Sequence, residues 1–187
     1  MPTVFRIIDT QTRLHTSPVE LNARELAKLR FLFQSAGHFV EVEEGESEGT
    51  ALNFEVNANG IALARFATVF PDRDDILSVV EEAQFLGRSL RVARSPQDPE
   101  VTLHVSQHIT LSPDILLSRK QARAVVDCIG DTPSDEGTIS LDRLRSALRD
   151  VSCHRRFEAA RIEHIHEYLV RLAATDCGEQ FPYLEWA

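Results

Sequence analysis

The hydrophobic residues change their spacing near residue 110, and this change limits the possible folds more than any other feature. Before that point, strand-like alternation is mixed with helical spacing, and from Ser112-Pro113 onwards the spacing is helical. The pattern predicts an α+β fold, with a mixed, mostly antiparallel sheet and two helices in the N-terminal part. A helical C-terminal part of three to four helices follows. We place an α+β module at 1–111 and a helical module at 112–187, which can also pack as one unit.

Local signals define the elements of the N-terminal part. β-branched or alternating runs predict strands, and capping residues followed by apolar residues at helical spacing predict helices. Two start signals stand before the first helix, Ser17-Pro18-Val19-Glu20 and Asn22 with Glu25. Asn59-Gly60 is typical of a two-residue hairpin turn, which predicts a return strand from 61 to about 70. The remaining predicted strands are 3–8, 39–42, 52–56, 89–93 and 101–105, and the predicted helices are 17–37 and 72–87.

The C-terminal part shows helix signals almost throughout. Ser118 with Gln121 forms a capping box before a helix over 119–129, and Ser140 precedes a helix over 141–150. The longest helix is predicted over 154–174. The aromatic tail, Phe181 to Trp186, is expected to dock back on the body of the protein.

Composition and charge favour a soluble protein inside the cell. The net charge is −9, so the far field of the chain repels nucleic acid and anionic membranes, although a local basic patch stays possible. The odd number of cysteines predicts reduced thiols in the cytoplasm. No apolar run approaches the roughly 20 residues that a membrane helix needs. We therefore expect a cytoplasmic protein that does not contact the membrane.

Reactive motifs are scarce. The sequence contains no GxSxG, Walker loop, GxGxxG or CxxC, and Cys128 lies on an apolar helix face, where a thiol behaves as a small hydrophobic group. His104 and His108 would share one face of an extended strand. We expect no cofactor, and the sequence favours a protein that is not an enzyme.

A metal-dependent enzyme is one alternative. His164 and Glu167 stand three apart on a predicted helix, and imidazole and carboxylate are both metal ligands. The other interpretation of this stretch is a solvated, charged helix face.

A dense acidic cluster is the positive hint of function. Five glutamates crowd one predicted turn, and they are Glu41, Glu43, Glu44, Glu46 and Glu48. Such a patch would steer a basic protein partner, as an acidic inhibitor or antitoxin would. The alternative is that the charges only keep a sheet edge soluble. We predict a non-catalytic interaction or regulatory protein whose partner is another protein.

Residues 137–141, between two predicted helices, resemble the second half of an EF-hand loop. In that family a glycine is sixth, an isoleucine eighth and a glutamate twelfth. Here the first position falls on Thr132 and the twelfth on Arg143. A cation at the twelfth position opposes calcium, so the resemblance implies helix–loop–helix geometry without the metal.

Residues 19–37 are similar to the first helix of response-regulator winged-helix domains, together with the strand and polar turn before them. The similarity ends near Val42, and no counterpart of the recognition helix follows. The C-terminal part resembles helix-turn-helix units more loosely, with three predicted helices and several arginines on the third. This implies a nucleic-acid-binding regulator as the first alternative, ahead of the metal-dependent enzyme, with contacts from Arg155, Arg156 and Arg161.

Overall fold

The computed structural model describes residues 2–37, 53–94, 100–111 and 113–187. The chain divides into two compact units. The central unit consists of residues 13–107, and the terminal unit combines residues 1–12 with residues 108–187. The division of the chain into modules at 1–111 and 112–187, which can also pack as one unit, stays a prediction.

Strands and helices are interleaved along the described residues. The strands are β1 (Thr3–Ile8), β2 (Val19–Leu21), β3 (Phe54–Val56), β4 (Arg88–Arg94), β5 (Val101–Ile109), β6 (Ile115–Leu117), β7 (Gly137–Ser140) and β8 (Tyr183–Trp186). The helices are α1 (Ala23–Ser35), α2 (Leu63–Val69), α3 (Asp74–Phe85), α4 (Arg119–Cys128), α5 (Leu141–Arg149), α6 (Val151–Ala159) and α7 (Glu163–Ala173).

The central unit packs helices α1 to α3 on one face of its strands. Antiparallel pairs join β3 to β4 and β2 to β5, and β4 lies beside β5. Side chains alternate across a strand, so Leu90 and Val92 point into the core while Arg91 points away from it. The core also takes Phe33 from α1 and Phe66 from α2, both fully buried.

The terminal unit is organised around β1 and β8. β1 pairs antiparallel with β6, with β8 and, at Ile8–His108, with the end of β5. β8 also pairs antiparallel with β7. Helices α4 to α7 supply most of a second core, in which Phe5, Val125, Phe157 and Leu169 are fully buried.

The predicted helical C-terminal part is wrong. β6, β7 and β8 are interleaved with the helices of this part, and β6 and β8 pair with β1 at the other end of the chain. The N-terminal part also differs, because its described residues contain three helices rather than two. These C-terminal strands have three or four residues each, too few for an alternating pattern to stand out from helical spacing. The docking of the aromatic tail is confirmed, with Trp186 2 % exposed in β8.

The predicted hairpin at Asn59-Gly60 is also wrong, because the chain enters helix α2 instead of a return strand. The side chain of Asn57 accepts a hydrogen bond from the backbone of Asn59 at 2.9 Å, which shapes the turn locally. The buried aromatic residues that follow, Phe66 and Phe70, stand four apart, which is the spacing of one helix face. Their burial decides between two structures that the turn residues alone allow.

The first helix begins at the second of its two predicted start signals. Asn22 Oδ1 accepts from the backbone of Glu25 at 3.0 Å, and Glu25 Oε2 accepts from the backbone of Asn22 at 2.9 Å. This capping box confirms the second signal. The first signal is wrong, since Val19–Leu21 forms β2.

The long helix predicted over 154–174 is two helices, α6 and α7. Arg161 has a φ of 57°, in the left-handed region, and the backbone N–H of Ile162 reaches Phe157 O at 3.0 Å. This is the hydrogen bond of a Schellman motif, which usually places glycine where Arg161 stands. Because no glycine stands at this position, the sequence does not indicate that the helix ends between α6 and α7.

Among the described residues, no helix combines the length and the apolar character that crossing a membrane requires.

We expect Gly137→Ala to destabilise the protein by about 1–3 kcal/mol, because a Cβ at this position overpacks the core. The new atom would lie 2.9 Å from Cε2 of Trp186 and closer still to its Cζ2. Chemical denaturation measures the loss in the free energy of unfolding. The control is the same substitution in a Trp186→Phe background, where the extra cost should shrink. Equal costs in both backgrounds would rule out this contact as the cause.

Candidate functional site

The acidic cluster lies outside the described residues. All five of its glutamates fall between residues 38 and 52, so their role in binding stays a prediction.

His164 and Glu167, the alternative metal ligands, are both exposed on α7. In the described part of the chain, no group of three or more His, Cys, Asp or Glu side chains is placed to hold one metal ion. Their neighbour His166 faces a different way. Its ring lies 5.0 Å from that of His154 and 5.1 Å from that of Phe157, both in edge-on contact.

The three arginines of the nucleic-acid alternative do not form one equivalent set. Arg156 Nε donates to Cys128 O at 2.9 Å, so this guanidinium links α6 to the end of α4. Arg155 and Arg161 are exposed. Glu158 lies on the same helix, with Oε1 3.3 Å from His154 Nε2, and its carboxylate brings negative charge to this surface.

The EF-hand-like loop carries an ion pair near the position of its twelfth residue. The guanidinium of Arg143, which stands at the twelfth position, lies 3.7 Å from a carboxylate oxygen of Asp131, the residue just before the first position. Residues 137–140 of the loop form β7. The guanidinium supplies a positive charge beside a loop carboxylate, as a cation would. The prediction of two helices around this loop is confirmed by α4 and α5.

All three cysteines are free and buried. Burial raises the pKa of the thiols of Cys128, Cys153 and Cys177 above the usual value. A thiol with a raised pKa is a poor nucleophile, because the thiolate is the reactive form. The prediction that Cys128 acts as a small buried hydrophobic residue is therefore confirmed.

Polar side chains cluster on the sheet of the central unit, and His104 is the one among them that the sequence indicated. Glu55 on β3 pairs directly across from Arg91 on β4, and their side chains form an ion pair at 3.4 Å. Ser106 Oγ donates to Glu55 Oε1 at 2.7 Å. His104, a sequence candidate, is half-buried nearby. Burial makes the largest contribution to lowering the pKa of His104 from the usual 6.5, and the positive charge of Arg91 lowers it further. The negative charge of Glu55 acts in the opposite direction.

His108, the other histidine of that predicted face, lies in the terminal unit. Its Nε2 is 3.0 Å from Oδ1 of Asp114. The two histidines therefore have different surroundings.

A groove of about 850 Å³ is a further feature of the central unit, and the sequence did not indicate it. One wall is the segment of residues 15–20, and the other is formed by the first turns of α1 and α3. We call it the strap groove. Side chains or backbone of eleven residues line it: His15, Thr16, Ser17, Pro18, Val19, Glu20, Asn22, Glu25, Arg73, Asp75 and Ser78.

Arg73 is the central side chain of the strap groove. It forms an ion pair with Glu25, donates to both carboxylate oxygens of Asp75 at 2.9 Å, and donates to Glu20 O at 2.9 Å. The hydrogen bonds to Asp75 and then to Glu25 raise the pKa of Arg73 further above its usual range. The hydrogen bond from Arg73 lowers the pKa of Asp75. Burial alone would raise the pKa of Glu25, but the hydrogen bonds from Arg73 and Asn22 bring it below normal.

The segment of residues 15–20, which we call the strap, is held at its start by Glu82 on α3. This carboxylate accepts from the backbone of His15 at 2.6 Å, from the backbone of Thr16 at 2.9 Å and from the Thr16 hydroxyl. Burial alone would raise the pKa of Glu82, but these hydrogen bonds lower it. The strap is thus tied to α3 by one half-buried carboxylate.

A smaller cavity of about 300 Å³ lies beside the N-terminus of α5 in the terminal unit. Arg145 lines it but is already engaged, because it donates to Ala173 O at 2.7 Å and to Thr175 O at 3.1 Å. These bonds satisfy carbonyls at the end of α7. The guanidinium has a structural role there.

No protein-family model matches the chain, and no significant match is found among curated proteins or solved structures.

We expect His104 to make the protein less stable as the pH falls below 6.5. Its pKa is lowered in the folded state, so between the folded and unfolded values only the unfolded chain takes up the proton. The free energy of unfolding should therefore decrease from pH 7 to pH 5 by more in the wild type than in His104→Gln. Arg91→Gln should also weaken the dependence, since the charge of Arg91 contributes to it. The same pH profile in all three proteins would contradict this origin.

The thiols should be inert in the folded protein. Mixing with 5,5′-dithiobis(2-nitrobenzoic acid) at pH 8 is expected to label none of the three cysteines within minutes, because all are buried. The same reagent should label all three in denaturant. Rapid labelling of any cysteine without denaturant would show that it is accessible.

Proposed function

We propose that this chain is a non-catalytic module that binds a basic protein partner through the acidic cluster. The observation that carries the proposal is charge density. Glutamate occupies five of the eight positions from Glu41 to Glu48, in a chain whose net charge is −9. A dense patch of one sign accelerates the encounter with a partner of opposite sign and disfavours like-charged competitors.

The chemistry of the described residues supports binding in preference to catalysis. Arg73, Arg145 and Arg156 use their guanidinium groups to join backbone and carboxylate groups within the fold. The thiols are buried, and their raised pKa values keep them protonated. These arginines and thiols thus hold structural positions, and the surface charge is the feature that we propose for recognition.

The free thiols also support a cytoplasmic location as part of this proposal. Cytoplasmic proteins keep their cysteines reduced, whereas secreted domains of this size commonly pair them.

The test compares two triple variants with the same change in net charge. Glu43→Lys, Glu44→Lys and Glu46→Lys alter the acidic cluster. Glu81→Lys, Glu136→Lys and Glu179→Lys alter three exposed glutamates elsewhere. Tagged wild-type protein captures partners from the source cells, the partner is identified by mass spectrometry, and the purified partner is then titrated against each protein.

We expect the cluster variant to lose about tenfold or more in affinity, with most of the change in the association rate, while the control variant keeps its affinity within about threefold. Circular dichroism should show that both variants remain folded. An equal loss in both variants would mean that only the total charge matters, and the proposal would then fail.

A labelled DNA duplex tests the nucleic-acid alternative in the same preparation. A shift that weakens steeply with salt and is reduced by Arg155→Ala with Arg161→Ala would replace the present proposal. Absence of a shift at low salt leaves the protein partner as the proposal.

A further inference from the structure

The strap groove has the dimensions of a recognition cleft. Its volume of about 850 Å³ falls within the range of roughly 300–1,000 Å³ that is usual for ligand sites. The strap wall is fastened to α3 through Glu82, and the opposite wall is fastened by Arg73 to Glu25 and Asp75. Both walls are therefore held in place by side chains of the central unit. A partner would meet a preformed groove.

One edge of strand β2 faces this groove. β2 pairs with β5 along its other edge, with Glu20 opposite Thr102. In an antiparallel pair, the N–H and C=O of one residue point to the same side of the strand. The carbonyl of Glu20 accepts from Arg73 at 2.9 Å, so the backbone of Glu20 points away from β5 and into the groove.

This edge of β2 carries no second strand in the described part of the chain. An exposed edge is a template on which an extended chain can add main-chain hydrogen bonds. Pro18 lacks a backbone N–H, so the pairing would centre on Glu20. The carbonyl of Glu20 has a second lone pair, so it can accept from an added strand while Arg73 stays in place.

The charges of the groove select a basic occupant. Three carboxylates, those of Glu20, Glu25 and Asp75, face one guanidinium, that of Arg73. Glu25 and Asp75 share Arg73, whereas the exposed side chain of Glu20 forms no hydrogen bond or ion pair within the described residues. Negative charge thus remains beside the strand edge.

We propose that the strap groove binds an extended, basic segment of the protein partner by strand addition to β2. The inference rests on the proposed function for the sign of the partner's charge, and it adds a second, separately located contact. The backbone of Glu20 supplies the pairing, and its side chain contacts a lysine or arginine of the added strand.

The test uses the full chain and a fluorescein-labelled peptide in which arginine and threonine alternate. Fluorescence anisotropy should show saturable binding to the wild type and a loss of about three- to fivefold in affinity for Glu20→Gln. The matched control is Glu81→Gln, which removes the same charge from an exposed glutamate of α3 that does not line the groove. Its affinity should stay within about twofold of the wild type.

A second peptide separates strand addition from charge attraction. N-methylation of alternate amides keeps every arginine but removes the N–H groups that would donate to Glu20, and it should reduce the affinity by at least about tenfold. In addition, the Glu20 amide should exchange its proton more slowly with solvent when the unmodified peptide is bound. Equal binding of both peptides, or equal effects of Glu20→Gln and Glu81→Gln, would overturn the inference.

These outcomes are distinguishable from failure of the proposed function. If the partner depends on Glu43, Glu44 and Glu46 but binds Glu20→Gln as tightly as the wild type, only the groove inference fails. If the alternating peptide binds at Glu20 while the cluster variant keeps its partner, only the proposed role of the acidic cluster fails.

Discussion

The pairing of the two ends of the chain, β1 with β8, is the contact on which the terminal unit depends. The backbone N–H of Val4 donates to Ala187 O at 2.8 Å, and Arg6 forms an ion pair with Glu185 at 2.8 Å on the same two strands. The register places Phe5 beside Trp186, and their rings stack with their centroids 6.1 Å apart. Because β7 pairs with the other edge of β8, a change in this register would move every side chain of β8 to the opposite face.

The central unit depends on a different kind of contact, in which charged side chains, several of them half-buried, join loops to helices. Arg73 connects β2, α1 and α3 through Glu20, Glu25 and Asp75, and Glu82 fastens the strap to α3. Such groups must be paired when they leave water, and each pair restricts the elements it joins. The strap groove is a consequence of this arrangement, since the same side chains hold its two walls.

The distribution of chemical groups links this architecture to the proposed function. The thiols are buried, Arg73, Arg145 and Arg156 join parts of the fold, and the polar cluster of Glu55, Arg91 and Ser106 is internally hydrogen-bonded. What remains for recognition is the surface. Over the whole chain, acidic side chains outnumber basic ones. A basic partner that combines charge attraction with main-chain pairing at β2 would use both properties.

The sequence by itself determined the features that depend on neighbouring residues. The capping boxes of Asn22 with Glu25 and of Ser118 with Gln121 were predicted correctly, as was β1, because each needs only a few adjacent residues. The tertiary structure decided the strand identity of β6 and β8, the choice of α2 over a hairpin and the convergence of Arg73 with Glu20 and Glu25. Those outcomes depend on burial and on hydrogen bonds between residues far apart in the chain, and a short apolar run is compatible with either a strand or a helix until its partners are fixed.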